Sequence, residues 1–221
     1  MTYSILVRDP DTGSLAGAAT TGSLCVGGWV LRGDLRAGMS ASQGASPSTL
    51  WGGDVLAAMR AGATAAQAVR QITGADSGRG YRQLSALARD GIGASFTGPL
   101  NTPQMGGLVF DNGVAAGNLL SSTDVIAAAA ETWQQTRGPI GERLIAALRA
   151  GEAAGSDSRG LLSAALLILH PDQAPLTLRI DYHPGDPIGA LADLFARATS
   201  GDYAFWARQV PSLSQPERGL D

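Results

Sequence analysis

Lysine is missing altogether from this chain of 221 residues, and all 16 of its basic side chains are arginine. That absence excludes a Schiff-base lysine, the glycine-rich phosphate loop ending in Gly-Lys-Ser/Thr, and any lysine-assisted nucleophile. Cysteine occurs once, as Cys25, so no intrachain disulfide framework exists. Histidine occurs twice, as His170 and His183, and with one cysteine these cannot assemble a zinc-type cluster of nitrogen and sulfur ligands. Nothing calls for a metal or a cofactor, although an all-oxygen metal site stays open. There is no basic run, and with a net charge of -3 a nucleic-acid partner is not expected. The longest apolar stretch, Leu161 to Leu169, contains Ser163 and is about half a membrane span. No basic leader with an apolar core precedes the first strand. A cytoplasmic protein without a membrane partner is therefore the expectation.

What is present is a chain 44% hydrophobic with 30 glycines, enough apolar side chains for one sizeable core. A single domain over residues 1–200 is expected, followed by a C-terminal tail, 201–221, with two aromatics (Tyr203 and Trp206) and then polar, proline-rich residues. Short alternating runs predict strands over 3–8, 14–20, 24–31 and 36–42. Helical spacing follows over 52–61 and over 64–73, where Thr64 is a candidate cap and Gly74 closes the segment. Strands resume at 83–89, 92–97, 106–110 and 113–118, with Asp90-Gly91 and Asp111-Asn112-Gly113 as hairpin turns. Helices are predicted over 123–136, capped by Ser122 or Thr123, and over 139–151, with Pro139 in the first turn. Strands at 162–170 and 176–182 precede a helix over 187–199, capped by Asp186 with Pro187 at its first position.

Hairpin-linked strands that alternate with helix pairs do not suit a doubly wound parallel sheet. They suit an α+β fold in which two antiparallel sheets pack face to face with helices outside, a four-layer α-β-β-α sandwich. The continuous apolar run at 162–170 suits a strand covered on both faces.

Thr2 stands directly behind the initiator methionine and directly ahead of the first strand. Removal of Met1, which a small second residue permits, leaves a hydroxyl and a free α-amine on one residue. That pair is a nucleophile with its own general base. The other reading is a flexible chain end leading into a strand.

The segments Thr2-Tyr3-Ser4-Ile5, Arg8-Asp9-Pro10, Ala41-Ser42-Gln43, Tyr81-Arg82-Gln83 and Phe96-Thr97-Gly98 recur in one order in a known family. So do Gly117-Asn118-Leu119-Leu120, Gly155-Ser156-Asp157-Ser158-Arg159-Gly160 and Asp181-Tyr182-His183-Pro184. By these motifs the chain resembles, from Thr2 to about Ala198, an uncharacterised bacterial family, domain of unknown function 1028. That family looks like part of the N-terminal-nucleophile (Ntn) hydrolase superfamily, whose members cleave amide bonds with the first residue of the mature chain. The resemblance implies Thr2 as the nucleophile.

Other candidates follow from residue type. Asn118, at a strand end, offers an amide for an oxyanion hole, or is a turn asparagine bonded to its own backbone. Asp157 and Arg159 would orient the Thr2 amine and a substrate carboxylate, or would close their loop as an ion pair. Gly22 is a second oxyanion candidate, and Ser23 and Gln43 are candidate substrate contacts, although hydroxyl-rich turns are common. Cys25 reads as a small buried hydrophobe, His183 as a structural residue before proline, and Arg82 as an anion site or a surface pair. The expected function is hydrolysis of a small amide, lactam or peptide-like C–N bond by Thr2, without a cofactor. The alternative is a non-catalytic small-molecule binder or assembly protein on the same fold. Flat alanine- and glycine-rich helix faces, with Trp29, Trp51 and Trp206 as anchors, leave a homo-oligomer open.

Overall fold

A computed structural model describes residues 2–220. Strand β1 (Thr2–Arg8) turns into β2 (Leu15–Thr21) through a loop closed by Asp9, whose carboxylate accepts the N–H groups of Asp11 and Thr12. Gly13, at φ 70°, supplies the left-handed residue that this turn needs. These strands lie at the centre of a six-stranded antiparallel sheet. β9 (Ser163–Leu169) and β10 (Leu176–Ile180) extend it beyond β2, and β8 (Gly113–Gly117) and β7 (Gly106–Phe110) beyond β1. A second antiparallel sheet has the order β3 (Leu31–Asp34), β4 (Gly38–Gly44), β5 (Arg82–Ala88), β6 (Gly93–Thr97). The chain is thus a mixed α+β protein with two antiparallel sheets and seven helices among its described residues.

The two-residue period of β1 divides its side chains cleanly. Tyr3, Ile5 and Val7 enter a core with Leu144 and Leu148 of α5 (Ile140–Ala153), Val125 and Trp133 of α4 (Asp124–Gln135), and Leu191 of α6 (Pro187–Ala198). Leu6, one residue out of phase, meets Leu31, Met39 and Leu87 of the other sheet. A third cluster joins the second sheet to α2 (Trp51–Arg60) and α3 (Ala65–Gly74) through Trp51, Val55, Val69 and Leu84. Each fully buried Leu or Ile contributes about 1.5–3 kcal/mol of apolar burial. β2 reads Leu-Ala-Gly-Ala-Ala-Thr-Thr, and its small side chains let layers approach on both of its buried faces.

Helix starts follow the sequence signals closely. Thr64 and Gln67 form a reciprocal capping box on α3, and Asp186 accepts the Gly189 N–H at 2.7 Å with Pro187 at the first position of α6. Ser122 accepts the Asp124 N–H at the start of α4, while Thr123 makes no cap bond. Two expectations need revision. The apolar run 24–31 is not one strand: it forms a short helix, α1 (Val26–Trp29), before β3 begins. Gly27 and Gly28 permit this, because a Cβ at Gly27 would lie 2.7 Å from Ala165 Cβ and 2.8 Å from Arg179 Cγ. The segment expected as a tail holds a further helix, α7 (Gly201–Ala207), which packs on α6, and Ser214 beyond it donates its N–H to the Pro171 carbonyl. No described helix is long and apolar enough to cross a membrane.

Candidate functional site

Thr2 is buried at the start of β1, in phase with Ser4 and Leu6, so its side chain leaves the sheet toward β4 and β5. Its hydroxyl donates to Thr21 Oγ1, directly across the hairpin, at 3.2 Å. Its backbone exchanges hydrogen bonds with Asn118, N–H to carbonyl at 3.2 Å and 3.1 Å in the two directions. The next residue anchors the strand from behind. The Tyr3 hydroxyl donates to the Leu148 carbonyl at 2.7 Å, and burial first, then Glu152, push the phenol above its ordinary pKa, so it stays neutral.

Thr2, Thr21 and Gln43 line a cleft of about 320 Å³. Its apolar wall comes from the loop after β2, from α1 and from the residue that follows α1: Leu24, Val26, Trp29 and Val30. Ser23, Pro47 and Arg159 also border it. The volume suits a small molecule, and the mixture of apolar wall and a few polar groups is typical of a ligand pocket.

The loop after α5 brings in Asp157, whose side chain is wholly buried. Four N–H donors converge on it: Gly22 N–H at 2.8 Å, Arg159 N–H at 2.9 Å, and Arg159 Nε and Nη2 at 3.0 and 2.8 Å. Arg159 also reaches Ser23 Oγ at 3.3 Å, and its hydrogen bonds to Asp157, acting against burial, hold its pKa above the usual value. Asp157 therefore ties the loop after β2 to the loop before β9. The Thr2 nitrogen is not among these four donors; its N–H goes to the Asn118 carbonyl.

Gln43 and Gln83 face each other across β4 and β5 and fill the space between the sheets beside Thr2. Gln43 accepts from Ser4 Oγ at 2.8 Å and donates to Gln83 Oε1 at 2.7 Å, with the Thr2 carbonyl 3.4 Å away. Asn118 Nδ2 donates to the same Gln83 oxygen at 3.1 Å.

The backbone is strained around this centre. Four described residues other than glycine have positive φ, and three of them adjoin the site: Cys25 (60°) before the cleft-lining Val26, Leu119 (52°) after Asn118, and Ser156 (65°) before Asp157. Each left-handed residue costs about 1–2 kcal/mol, and such strain gathers at functional sites.

The fold thus brings Thr2, Ser23, Gln43 and Arg159 to one cleft, with Asp157, Gly22 and Asn118 in hydrogen-bonded contact with its lining. The Gly22 N–H is occupied by Asp157, one N–H of the Asn118 amide is occupied by Gln83, and Asn118 is not among the residues that line the cleft. Gln83 and the α1 wall were not among the site candidates: Gln83 stood only in a family motif, and Trp29 only as an oligomer anchor. The pairing of Gln83 with Gln43 is set by the β4–β5 register, which residue type alone does not signal. Arg82 is bound to Asp76 and lies over the Trp51 ring, and His183 Nδ1 accepts the N–H groups of Gly185 and Asp186, a turn-closing role. Met1 lies outside the described residues. Among those described, no three His, Cys, Asp or Glu side chains gather as a metal site would require.

The model of a family described as "Family of unknown function (DUF1028)" matches residues 2–191. The crystal structure of a Silicibacter pomeroyi protein, itself described by the same family model, is 57% identical and superposes with a TM-score of 0.97. That match covers 100% of this chain and 96% of the other. No curated protein matches.

Proposed function

The chain belongs to the family of unknown function DUF1028, whose description names no reaction, and from the site itself we propose an Ntn-type amidohydrolase. On this reading the two sheets with their helices are the four-layer α-β-β-α sandwich of the Ntn hydrolases. One observation carries it: the Thr2 hydroxyl lines a small-molecule-sized cleft, and the same residue's nitrogen becomes the α-amine once Met1 is removed.

The substrate is a small amide, lactam or peptide-like carbonyl compound. Thr2 Oγ1 forms a bond to the carbonyl carbon while its proton passes to the α-amine, which ordinarily titrates near about 7.7–8.0 and is partly neutral at pH 7. The C–N bond then breaks as that proton moves to the departing nitrogen, leaving an ester on Thr2. Water, deprotonated by the same amine, hydrolyses the ester and frees the acid. Having base and nucleophile on one residue removes the entropy cost of bringing them together. Ser23 and Leu24 line the cleft, and their N–H groups have no acceptor among the described residues; they are the oxyanion donors on this reading, the Gly22 N–H being bound to Asp157. Arg159, at the cleft and already charged, suits a substrate carboxylate.

Intact mass and N-terminal sequencing of protein from its native host test the reading, followed by a panel of amides, lactams and short peptides. Expected are loss of one methionine and a hydrolysis that Thr2→Ala abolishes. Met1 retained in essentially all molecules defeats it. The cleft wall of Leu24, Val26, Trp29 and Val30 does not depend on a free Thr2, so that outcome favours a small-molecule binder.

A further inference from the structure

Gln83 decides which way three amides point. One end of its side chain lies 2.8 Å from the Gly106 carbonyl and 3.0 Å from the Gly117 carbonyl, both of which can only accept. That end must be the NH2 group, so the opposite end is oxygen. Gln43 at 2.7 Å and Asn118 at 3.1 Å approach this oxygen, and both must present nitrogen to it. For Gln43 a second check agrees, because the same nitrogen lies 3.3 Å from the Ala116 carbonyl. With the Asn118 nitrogen committed, its oxygen is what remains. Asn118 is fully buried, and its Oδ1 accepts no hydrogen bond among the described residues. An unmet acceptor at that depth is unfavourable, because it has lost water without gaining a donor.

Asn118 and Thr2 exchange backbone hydrogen bonds, and residues paired in this way on antiparallel strands send their side chains to the same face. A buried, acceptor-only oxygen beside Thr2 calls for an N–H donor rather than an oxyanion. We propose that Asn118 Oδ1 holds the α-amine of Thr2 once that residue heads the chain, which makes Asn118 a positioning residue. This rests on the amidohydrolase reading. The two hydrogens of the neutral amine go to two oxygens of one residue, the Asn118 carbonyl (already bonded to the Thr2 nitrogen at 3.2 Å) and its side-chain oxygen. The nitrogen lone pair is left for the Oγ1 proton. The ammonium that forms keeps both acceptors, which favours it and raises the basicity of the amine. Neighbouring charges are few. β2, β4 and β8 carry no titratable side chain; Arg82 of β5 is bound to Asp76; Asp157 and Arg159 are paired; and Glu152 and Arg149 of α5 act on Tyr3 across the sheet.

The missing lysine makes the test clean, since the α-amine is the single primary amine of the chain. Full-length protein prepared to begin at Thr2, confirmed by mass, is reductively methylated across a pH series, and the amine pKa is read from the rates. Asn118→Ala is expected to lower it by about one unit, tenfold in the protonation constant. Asn118→Asp, which supplies a charged acceptor, is expected to raise it; a merely structural asparagine predicts no such opposite shifts. A pKa within about 0.2 unit of the parent in whichever of the two variants folds overturns the proposal. Turnover is read separately. A pKa that follows residue 118 in a protein that hydrolyses nothing upholds the positioning role and defeats the amidohydrolase, whereas Thr2-dependent hydrolysis with an unmoved pKa does the reverse.

Discussion

Replacing Asp157 by asparagine changes one atom at a point where four N–H donors meet two oxygens. Asparagine keeps one oxygen and turns the other position into a donor. If its oxygen takes the place of Oδ1, the new NH2 faces the Gly22 N–H and Arg159 Nη2; in the flipped orientation it faces the Arg159 N–H and Nε. Either way two hydrogen bonds to a charged acceptor are lost, each worth about 1.5–3 kcal/mol. Arg159 also loses its counter-charge, but its side chain is 37% exposed and water takes over part of that role. The net loss is about 2–4 kcal/mol, below the full cost of stranding a charge in a dry interior. For a chain of this size that corresponds to a fall in Tm of roughly 2–4 °C per kcal/mol. Urea unfolding of Asp157→Asn, Arg159→Met and the double variant measures the loss and the coupling. A coupling of about 1.5 kcal/mol or more is expected. A single-variant loss below about 0.5 kcal/mol, or strictly additive variants, refutes the claim that this ion pair fastens the two loops at the cleft.

Gly151→Ala places a methyl group 2.7 Å from Tyr3 Cε2, on a ring already pinned through its hydroxyl to Leu148. Overpacking of about 1–3 kcal/mol should outweigh the roughly 1 kcal/mol gained in helix propensity, and a variant as stable as the parent in thermal melts would count against that packing. Asp186 has its pKa lowered, first by the hydrogen bond from Arg149 at 2.5 Å; burial, the next largest effect, opposes this, and the Gly189 N–H adds to the lowering. Its contribution is therefore complete above the unfolded carboxylate value and is lost as pH falls through the lower folded value, below about 4. With the side chain 52% exposed the ion pair is screened, so Asp186→Ala should cost about 1 kcal/mol at pH 7, mostly as a cap, and progressively less toward pH 3. Urea midpoints at the two pH values check this, and a deficit that does not shrink contradicts the assignment.

Local chemistry made much of the chain legible before its fold was known. The cap at Thr64, the Asp186-Pro187 helix start and the turn at Asp111-Asn112-Gly113 act over three or four residues, so sequence alone specifies them. In the structure the strand starts at Thr2, and its alternation puts Thr2 on one face with Ser4 and Leu6, and Tyr3 on the other. The run 24–31 failed this test because its apolar residues suit a strand or a short helix equally. What decides is the approach of Arg179 and Ala165 to Gly27, from strands more than a hundred residues away.

The site divides along the same line. Residue type pointed to Thr2, Asn118, Asp157 and Arg159, because hydroxyl, amide and ion pair carry recognisable chemistry. Which atoms remain free was a matter of register. Gln83 is an ordinary polar residue in the sequence, and only the pairing of β4 with β5, set against β8, turns it into the group that takes the Asn118 nitrogen and leaves its oxygen unpartnered. Sequence thus determined the inventory of groups and the local turns, while the contacts that commit each donor and acceptor came from the tertiary structure. The physical reason is that a hydrogen bond is fixed by distance and direction, and for residues 35 or 40 positions apart only strand register and the packing of the two sheets set either.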